Sequence, residues 1–169
     1  EDLKNLTNYT SEGGNIIAIG SALKNFADTD DFELKTKKNE EEQEDNTIPY
    51  NQRKGNNISK GITGCIFNSN VDTTHPLAYG YDKNYNSLKL SSTSYQLLKK
   101  GVNVAYFPEN TNKVSGFAGS KALKNISNSL LYGVENKGRG KIFYLVDNPL
   151  FRSFWENGKL FFANALFLN

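Results

Sequence analysis

Apolar residues recur along the chain in short runs separated by glycine, proline and charged residues, a pattern typical of a domain that mixes strands and helices. Leucines spaced three residues apart predict a helix over residues 2–10, which ends at the Gly13-Gly14 pair. A strand is predicted over residues 15–19, which contain an uninterrupted apolar run from Ile16 to Ile19. Such runs are typical of a strand buried on both faces of a parallel sheet.

More strands are predicted after residue 60. They cover residues 64–71, 87–90, 102–107, 115–119, 129–134 and 141–146. A turn over residues 136–140 joins the last two strands into a β-hairpin, which we place at the edge of the sheet. A closing helix over residues 154–168 completes the pattern. The side chains that it is expected to dock on the sheet are Trp155, Phe161, Phe162, Ala165 and Leu166.

A helix, a glycine pair, an apolar strand, a tight turn and a second helix form one step of a doubly wound α/β fold. We therefore predict a flavodoxin-like three-layer sandwich that comprises residues 1–169. Such folds normally begin with a strand, whereas this chain begins with a helix, so we expect the opening strands to precede Glu1. The chain also has no methionine, which favours a piece of a longer polypeptide.

One segment of the chain is rich in charged residues and is not expected to form a helix or strand of the core. Residues 28–60 hold many charged and few apolar side chains, which predicts a long surface loop. Residues 1–46 contain five basic and twelve acidic residues, and residues 47–169 contain fifteen and six. The lysines of this basic part are scattered singly, so we predict no nucleic-acid partner. No apolar run reaches 18 residues, so we predict no membrane span.

The candidate chemistry is sparse, since the chain has one cysteine and one histidine. This count excludes an internal disulfide and a zinc site built from His and Cys ligands. Cys65 lies within a predicted strand, which favours a buried, inert thiol. His75 could act as a general base, although a hydrogen-bonded structural role is commoner. Ser21 follows an apolar strand at a tight turn, as hydrolase nucleophiles do, but it lacks the Gly-x-Ser-x-Gly spacing.

Five segments carry a family resemblance. They are residues 13–20, residues 71–81 with Asp72, His75, Pro76 and Leu77 in an Asp-x-x-His-Pro-Leu motif, and residues 138–144, 147–152 and 154–165. Together they resemble the class I glutamine amidotransferase-like domain at the C-terminus of large bacterial zinc carboxypeptidases. The resemblance covers most of the chain outside the charged loop and is most specific in the last third. It implies the same three-layer fold.

The resemblance implies little chemistry for this chain itself. Active amidotransferases place a cysteine at the turn matched here by Gly20 or Ser21, and a His-x-Glu pair near the C-terminus, where this chain has no histidine. The His-x-x-Glu pair and distal histidine that bind zinc in the carboxypeptidases are also missing from the sequence. We therefore expect no cofactor in this chain, and zinc in a peptidase domain upstream of it.

These observations predict a non-catalytic accessory domain of a zinc carboxypeptidase. Its partners would be the upstream peptidase domain of the same polypeptide and, in a homo-oligomer, a second copy. The resemblance also implies a periplasmic or secreted location. Two alternatives stay open: a divergent hydrolase in which Ser21 and His75 lie within hydrogen-bond reach, and a ligand-binding module with a pocket at the strand ends around them.

Overall fold

Seven strands form one mixed sheet in the computed structural model, which describes residues 2–38 and 48–168. In chain order the strands are β1 (Ile16–Ile19), β2 (Ile62–Val71), β3 (Asn84–Lys89), β4 (Val102–Phe107), β5 (Lys113–Ala118), β6 (Ser129–Lys137) and β7 (Gly140–Leu145). The described residues also form the helices α1 (Asp2–Ser11), α2 (Tyr50–Lys60), α3 (Ser120–Ile126) and α4 (Glu156–Phe167). A 3-10 helix over Gly20–Asn25 follows β1.

The direction of each strand follows from the pairing. The strand order is β1-β7-β6-β4-β2-β3, and β5 pairs with the first half of β2. β1 and β7 are parallel, and every other pair is antiparallel. β1, β7, β4 and β3 therefore run in one direction, and β6 and β2 run in the other. We call the end of the sheet at which β1, β7 and β3 finish the carboxyl rim.

The sheet is curled into a half-barrel. In the strand order, β3 is four positions away from β7. Neighbouring strands lie about 4.8 Å apart, so a flat sheet would separate these two strands by roughly 19 Å. Lys89 at the end of β3 nevertheless contacts Asp147, two residues beyond β7, at 3.2 Å. The sheet therefore bends until the ends of these two strands meet at the carboxyl rim.

The predicted doubly wound, flavodoxin-like sandwich is wrong. A doubly wound sheet is mostly parallel, whereas here β1 and β7 form the parallel pair and the other pairs are antiparallel. The sequence contains the reason. β2 buries every second residue from Cys65 to Val71, which is the period of an antiparallel strand with one buried face. β1 does lie parallel to β7, as its apolar run predicts, but it is an edge strand in which Ala18 alone is fully buried, so the predicted burial on both faces is only partial.

Most of the predicted elements are present, although the hairpin is placed differently and two helices were not predicted. The hairpin of β6 and β7 is confirmed, and its turn contains Gly138 at φ +62°, where a side chain would also collide with the backbone of Ser11. The hairpin lies inside the sheet because β1 pairs with the outer side of β7. The sequence patterns above predict neither α2 nor α3.

The inner face of the sheet is covered by α4. Phe161 and Ala165 of this helix are fully buried, as predicted. The Phe161 ring stacks on Tyr81 at a centroid distance of 3.9 Å and also contacts Tyr85 and Tyr132. The other predicted docking positions are weaker, since Trp155 and Phe162 are half-buried and Leu166 is exposed. This aromatic cluster is the centre of the larger core.

The opposite face is covered by the 3-10 helix and the segment after it. Leu23 and Phe26 pack there with Phe32 and Leu34, all at most 5% exposed. Phe32 and Leu34 belong to the predicted surface loop over residues 28–60, which therefore differs from expectation in this part. Residues 50–60 of that loop form α2, and residues 39–47 lie outside the described residues.

Replacing Phe161 by alanine tests the importance of the α4 contact. Phe161→Ala leaves a cavity between three tyrosine rings, so we expect it to lower the free energy of unfolding by about 3–5 kcal/mol in a urea titration. Phe167→Ala, which removes a ring that is 77% exposed on the same helix, is the matched control and should change it by less than about 0.5 kcal/mol. Equal effects of the two variants would contradict this description of the core.

Candidate functional site

Ser21 and His75 lie at opposite ends of the sheet. Ser21 is exposed in the 3-10 helix that follows β1 at the carboxyl rim. His75 follows β2, which runs in the opposite direction, so it lies at the other rim. The two residues line separate depressions that share no lining residue, and no hydrogen bond joins them. In a doubly wound sheet both would have followed parallel strands, which is why the sequence analysis grouped them.

His75 has a local structural partner. Its Nδ1 atom accepts a hydrogen bond of 3.1 Å from the backbone N–H of Leu77, and this bond caps the short 3-10 turn over Pro76–Ala78. Burial lowers the pKa of His75, while the nearby Asp72 opposes that shift. The neutral imidazole is therefore held as a cap, and the depression beside it, which includes Tyr79 and Leu168, is open and shallow.

Cys65 is buried in β2. Its Sγ atom donates to the carbonyl oxygen of Ser115 at 3.1 Å, and the side chain is 1% exposed. Burial raises the pKa of the Cys65 thiol, with Lys113 opposing the shift. A thiol that is both protonated and inaccessible is a poor nucleophile, in agreement with the inert role expected from its mid-strand position.

A pocket of about 200 Å³ lies at the carboxyl rim beside Ser21. We call it the Ser21 pocket. Its lining combines polar and charged side chains with apolar ones: Ser21, Lys24, Lys89, Ser91, Thr93, Tyr95, Asp147 and Asn148 with Leu88, Leu90, Val146 and Phe151. Three strands that end at this rim, β1, β3 and β7, or the residues directly after them, therefore supply the pocket. Such convergence of a few polar groups in an apolar depression is typical of small-molecule sites.

Lys89 and Asp147 form a buried ion pair in the wall of the Ser21 pocket. The Lys89 Nζ atom lies 3.2 Å from Asp147 Oδ1, and the side chains are 1% and 7% exposed. The hydroxyl of Ser87 donates to the other carboxylate oxygen at 2.7 Å. Both carboxylate oxygens thus have a partner, and two β3 residues on one face hold the Asp147 side chain in place.

The ammonium group of Lys89 is less well satisfied than its partner. It can donate three hydrogen bonds, and the bond to Asp147 is the one that it makes within the described residues. The Phe107 ring lies 5.9 Å from the Nζ atom and offers a weaker cation–π contact. A buried cation with unused donors is costly. The wall of the pocket therefore presents hydrogen-bond donors that a ligand could use.

Sequence reasoning missed Lys89 and Asp147, although a signal for each was present. Tyr85, Ser87 and Lys89 alternate along β3, which places a lysine at a position where the period requires a buried side chain. Asp147 directly follows the buried run of β7 and the residue Val146. A charged residue in a buried register and an acid at the end of a buried strand are both unusual, and together they indicate a pair.

A second cavity, of about 370 Å³, lies near the opposite rim, and two of its acidic groups, Glu33 and Glu135, already have partners. The Glu33 carboxylate accepts hydrogen bonds from the backbone N–H groups of Lys100 and Gly101. Glu135 accepts from the backbone of Glu33 at 2.9 Å and from the Tyr144 hydroxyl at 2.7 Å. Burial, together with Glu135, raises the pKa of Tyr144 and keeps its hydroxyl a donor. These contacts fasten the segment after the 3-10 helix to the sheet.

Among residues 2–38 and 48–168, no three His, Cys, Asp or Glu side chains lie close enough together to hold a metal ion. None of the described helices combines the length and the apolar character that crossing a bilayer requires.

Comparison with known proteins finds similarity to solved structures alone. No family model matches the chain, and no curated protein matches it. The cytoplasmic protein STM3548 of Salmonella typhimurium is 15% identical, with a TM-score of 0.49 over 97% of this chain and 58% of that one. The cytoplasmic protein STM1381 of Salmonella typhimurium LT2 is 14% identical, with a TM-score of 0.44 over 98% and 59%. The chain thus spans about three fifths of the length of these structures.

The prediction of a periplasmic or secreted location does not stand. Both similar structures are named cytoplasmic proteins, which is the opposite of that prediction, and neither is named an amidotransferase or a carboxypeptidase. The carboxypeptidase resemblance was the basis of the predicted location. At this level of similarity the names describe those two proteins, and no compartment is carried over to this chain.

Removing one partner of the buried pair tests its energetic role. Lys89→Met leaves the Asp147 carboxylate buried without a countercharge, so we expect the free energy of unfolding to fall by about 3–5 kcal/mol. Lys159→Met, which breaks the exposed pair with Glu156, is the matched control and should cost less than about 1 kcal/mol. The double variant Lys89→Met/Asp147→Leu should recover part of the loss. A double variant that is less stable than either single one would contradict the argument.

The reactivity of Cys65 provides a second test. Because the thiol is buried and its pKa is raised, Ellman's reagent should modify the native chain at least roughly a hundredfold more slowly than the chain in 6 M guanidinium chloride. Absorbance at 412 nm follows the reaction. Rapid modification of the native chain would show that Cys65 is accessible.

Proposed function

We propose that this chain is a ligand-binding module that takes a small organic anion with an apolar body into the Ser21 pocket. The observation that carries this proposal is the Lys89 ammonium, which is 1% exposed, lines the pocket and uses one of its three donors within the described residues. A carboxylate that enters the pocket can accept the remaining N–H groups. The sequence analysis left open a ligand-binding module with a pocket at the strand ends around Ser21 and His75. The proposal keeps this module and assigns its pocket to the carboxyl rim beside Ser21.

The charge of the pocket favours an anion. Two lysines, Lys24 and Lys89, line it together with one acid, Asp147. Asp147 is already paired with Lys89, so the exposed Lys24 supplies the net positive charge. Lys24 makes no ion pair within residues 2–38 and 48–168, and its charge is therefore available at the entrance. Serine and threonine hydroxyls beside it add hydrogen-bond donors.

The size and the apolar wall restrict the ligand further. A volume of about 200 Å³ is below the range of about 300–1,000 Å³ that is typical of drug-sized ligands. Leu88, Leu90, Val146 and Phe151 provide apolar surface opposite the charged groups. Short-chain carboxylic acids combine these properties, because a carboxylate at one end joins a few methylene groups at the other.

The other functional predictions have less support. The hydrolase alternative needs Ser21 and His75 within hydrogen-bond reach, and they lie at opposite rims. The role of an accessory domain of a zinc carboxypeptidase stays a prediction, as do the upstream zinc domain and a homo-oligomer. Its structural basis was the amidotransferase-like sandwich, which the sheet topology contradicts.

Binding of butyrate tests the proposal, with butylamine as the matched probe of opposite charge. We expect butyrate to bind in the millimolar range and to shift the backbone amide signals of Ser21, Lys89 and Asp147 in a ¹⁵N-labelled chain. Lys24→Gln should weaken binding about two- to fivefold, and Ser21→Trp should abolish it by filling the entrance. Both side chains are exposed, so both variants should fold normally.

The control is Lys159→Gln, which removes a partly exposed lysine from α4, outside the Ser21 pocket, and should leave butyrate binding unchanged. Butylamine that binds as tightly as butyrate would refute the anion preference. Butyrate that binds Ser21→Trp as it binds the unaltered chain would place the site elsewhere.

A further inference from the structure

Lys89 is a buried amine in the wall of the Ser21 pocket. Its side chain is 1% exposed, and its Nζ atom lies 3.2 Å from Asp147 Oδ1. A lysine amine has a second chemistry besides hydrogen bonding, because it attacks carbonyl carbons once it has given up a proton. The pair therefore places a nucleophile and a group that can hold its proton within one hydrogen bond of each other.

The hydrogen-bond donors of Lys89 fit a protonated imine better than an ammonium. An ammonium donates three hydrogen bonds, and Lys89 makes one of them within the described residues, to Asp147. A protonated imine has the same positive charge and a single N–H, which can keep the Asp147 contact. The other two hydrogens leave with the carbonyl oxygen as water. Imine formation therefore removes the cost of two buried, unused donors.

Asp147 is held in the position that proton transfer requires. The Ser87 hydroxyl donates to its Oδ2 atom at 2.7 Å, while Oδ1 accepts from Lys89. The Phe107 ring lies 5.9 Å from the Lys89 Nζ atom, so apolar surface as well as the carboxylate surrounds this nearly inaccessible amine. Limited access of water favours an imine, because water hydrolyses it.

We propose that Lys89 forms an imine with a short-chain 2-oxo acid in the Ser21 pocket. The inference rests on the proposed function, since the acid must enter this pocket as an anion. Asp147 accepts one proton from the Lys89 ammonium, and the nitrogen lone pair attacks the carbonyl carbon. A second nitrogen proton moves to the carbonyl oxygen, and the proton held by Asp147 then releases that oxygen as water. The C–N double bond that remains carries one proton and one positive charge, beside a carboxylate that is again ionised.

The pocket favours a 2-oxo acid of short chain length. The proposed function places the ligand carboxylate at the Lys89 N–H groups, so the carbonyl that the nitrogen can attack is the one next to the carboxylate. Ser91 donates to the Thr93 hydroxyl at 3.1 Å, and the Thr93 hydroxyl can donate its own proton to that carboxylate. Lys24 adds positive charge at the entrance. A volume of about 200 Å³ limits the chain to a few carbon atoms.

Reductive trapping tests the inference. The unaltered chain is incubated with 2-oxobutyrate, which has the chain length of butyrate, and with sodium cyanoborohydride, which reduces imines to stable amines. Peptide mass mapping should find Lys89 increased by the mass of 2-oxobutyric acid less one oxygen atom, at least about tenfold faster than the partly exposed Lys159. Unassisted imine formation would favour accessible lysines instead. In guanidinium chloride the preference for Lys89 should therefore disappear.

A matched probe and two variants connect the labelling to the pocket. Methyl 2-oxobutyrate has the same carbonyl without the negative charge and should label Lys89 at least about fivefold more slowly. Ser21→Trp, which fills the entrance, should abolish labelling of Lys89 and leave that of Lys159 unchanged. Lys159→Gln is the control and should change labelling of Lys89 by less than about twofold. Neither variant removes a buried side chain, so both should fold.

The outcomes separate this inference from the proposed function. Labelling confined to accessible lysines, or labelling of Lys89 by the ester as fast as by the acid, would overturn the inference. If butyrate still shifts the amide signals of the pocket in that case, the binding proposal stands without the covalent step. Labelling of Lys89 without any butyrate binding would support the imine and contradict the binding of saturated acids. Absence of both results would refute both proposals.

Discussion

The contact between Lys89 and Asp147 is the constraint on which the architecture of the carboxyl rim depends. It joins strands that are four positions apart in the sheet, over a distance that a flat sheet could not close. Burying two charges is costly, and the cost is offset by mutual attraction and by the Ser87 hydrogen bond. An apolar contact would tolerate a wider range of relative orientations of the two strands. The ion pair therefore fixes the curvature of the sheet and places polar groups in the wall of the Ser21 pocket.

The local elements could be predicted from the sequence because their signals are local. The strand over residues 102–107 has the predicted bounds, and the hairpin turn at Gly138 has the glycines that its geometry requires. The apolar run of β1 was correctly assigned to a parallel pair. Each of these patterns depends on neighbours a few residues away. Periodicity and turn chemistry therefore suffice for them.

The fold class could not be predicted in the same way, because strand direction is decided by partners far along the chain. One helix-like segment after β1 suggested a repeating helix and strand unit, yet the segment is a short 3-10 helix that packs Leu23 into the outer core. The alternation of β2 is typical of an antiparallel strand, but the sequence analysis relied on the pattern around β1 and did not use it. Residues 28–60 were predicted to be a surface loop because charged residues dominate them. Phe32 and Leu34 are nevertheless buried, since two apolar residues that alternate within a polar run can pack on one face of the sheet.

The Ser21 pocket gathers residues from distant parts of the chain, and this has a thermodynamic consequence. Ser21 and Phe151 both line it, so the pocket does not exist in an unfolded chain. A ligand that binds the folded state alone stabilises it by RT ln(1 + [L]/Kd). Occupancy of the Ser21 pocket is therefore linked to folding of the whole sheet, and a more abundant ligand would raise the free energy of unfolding.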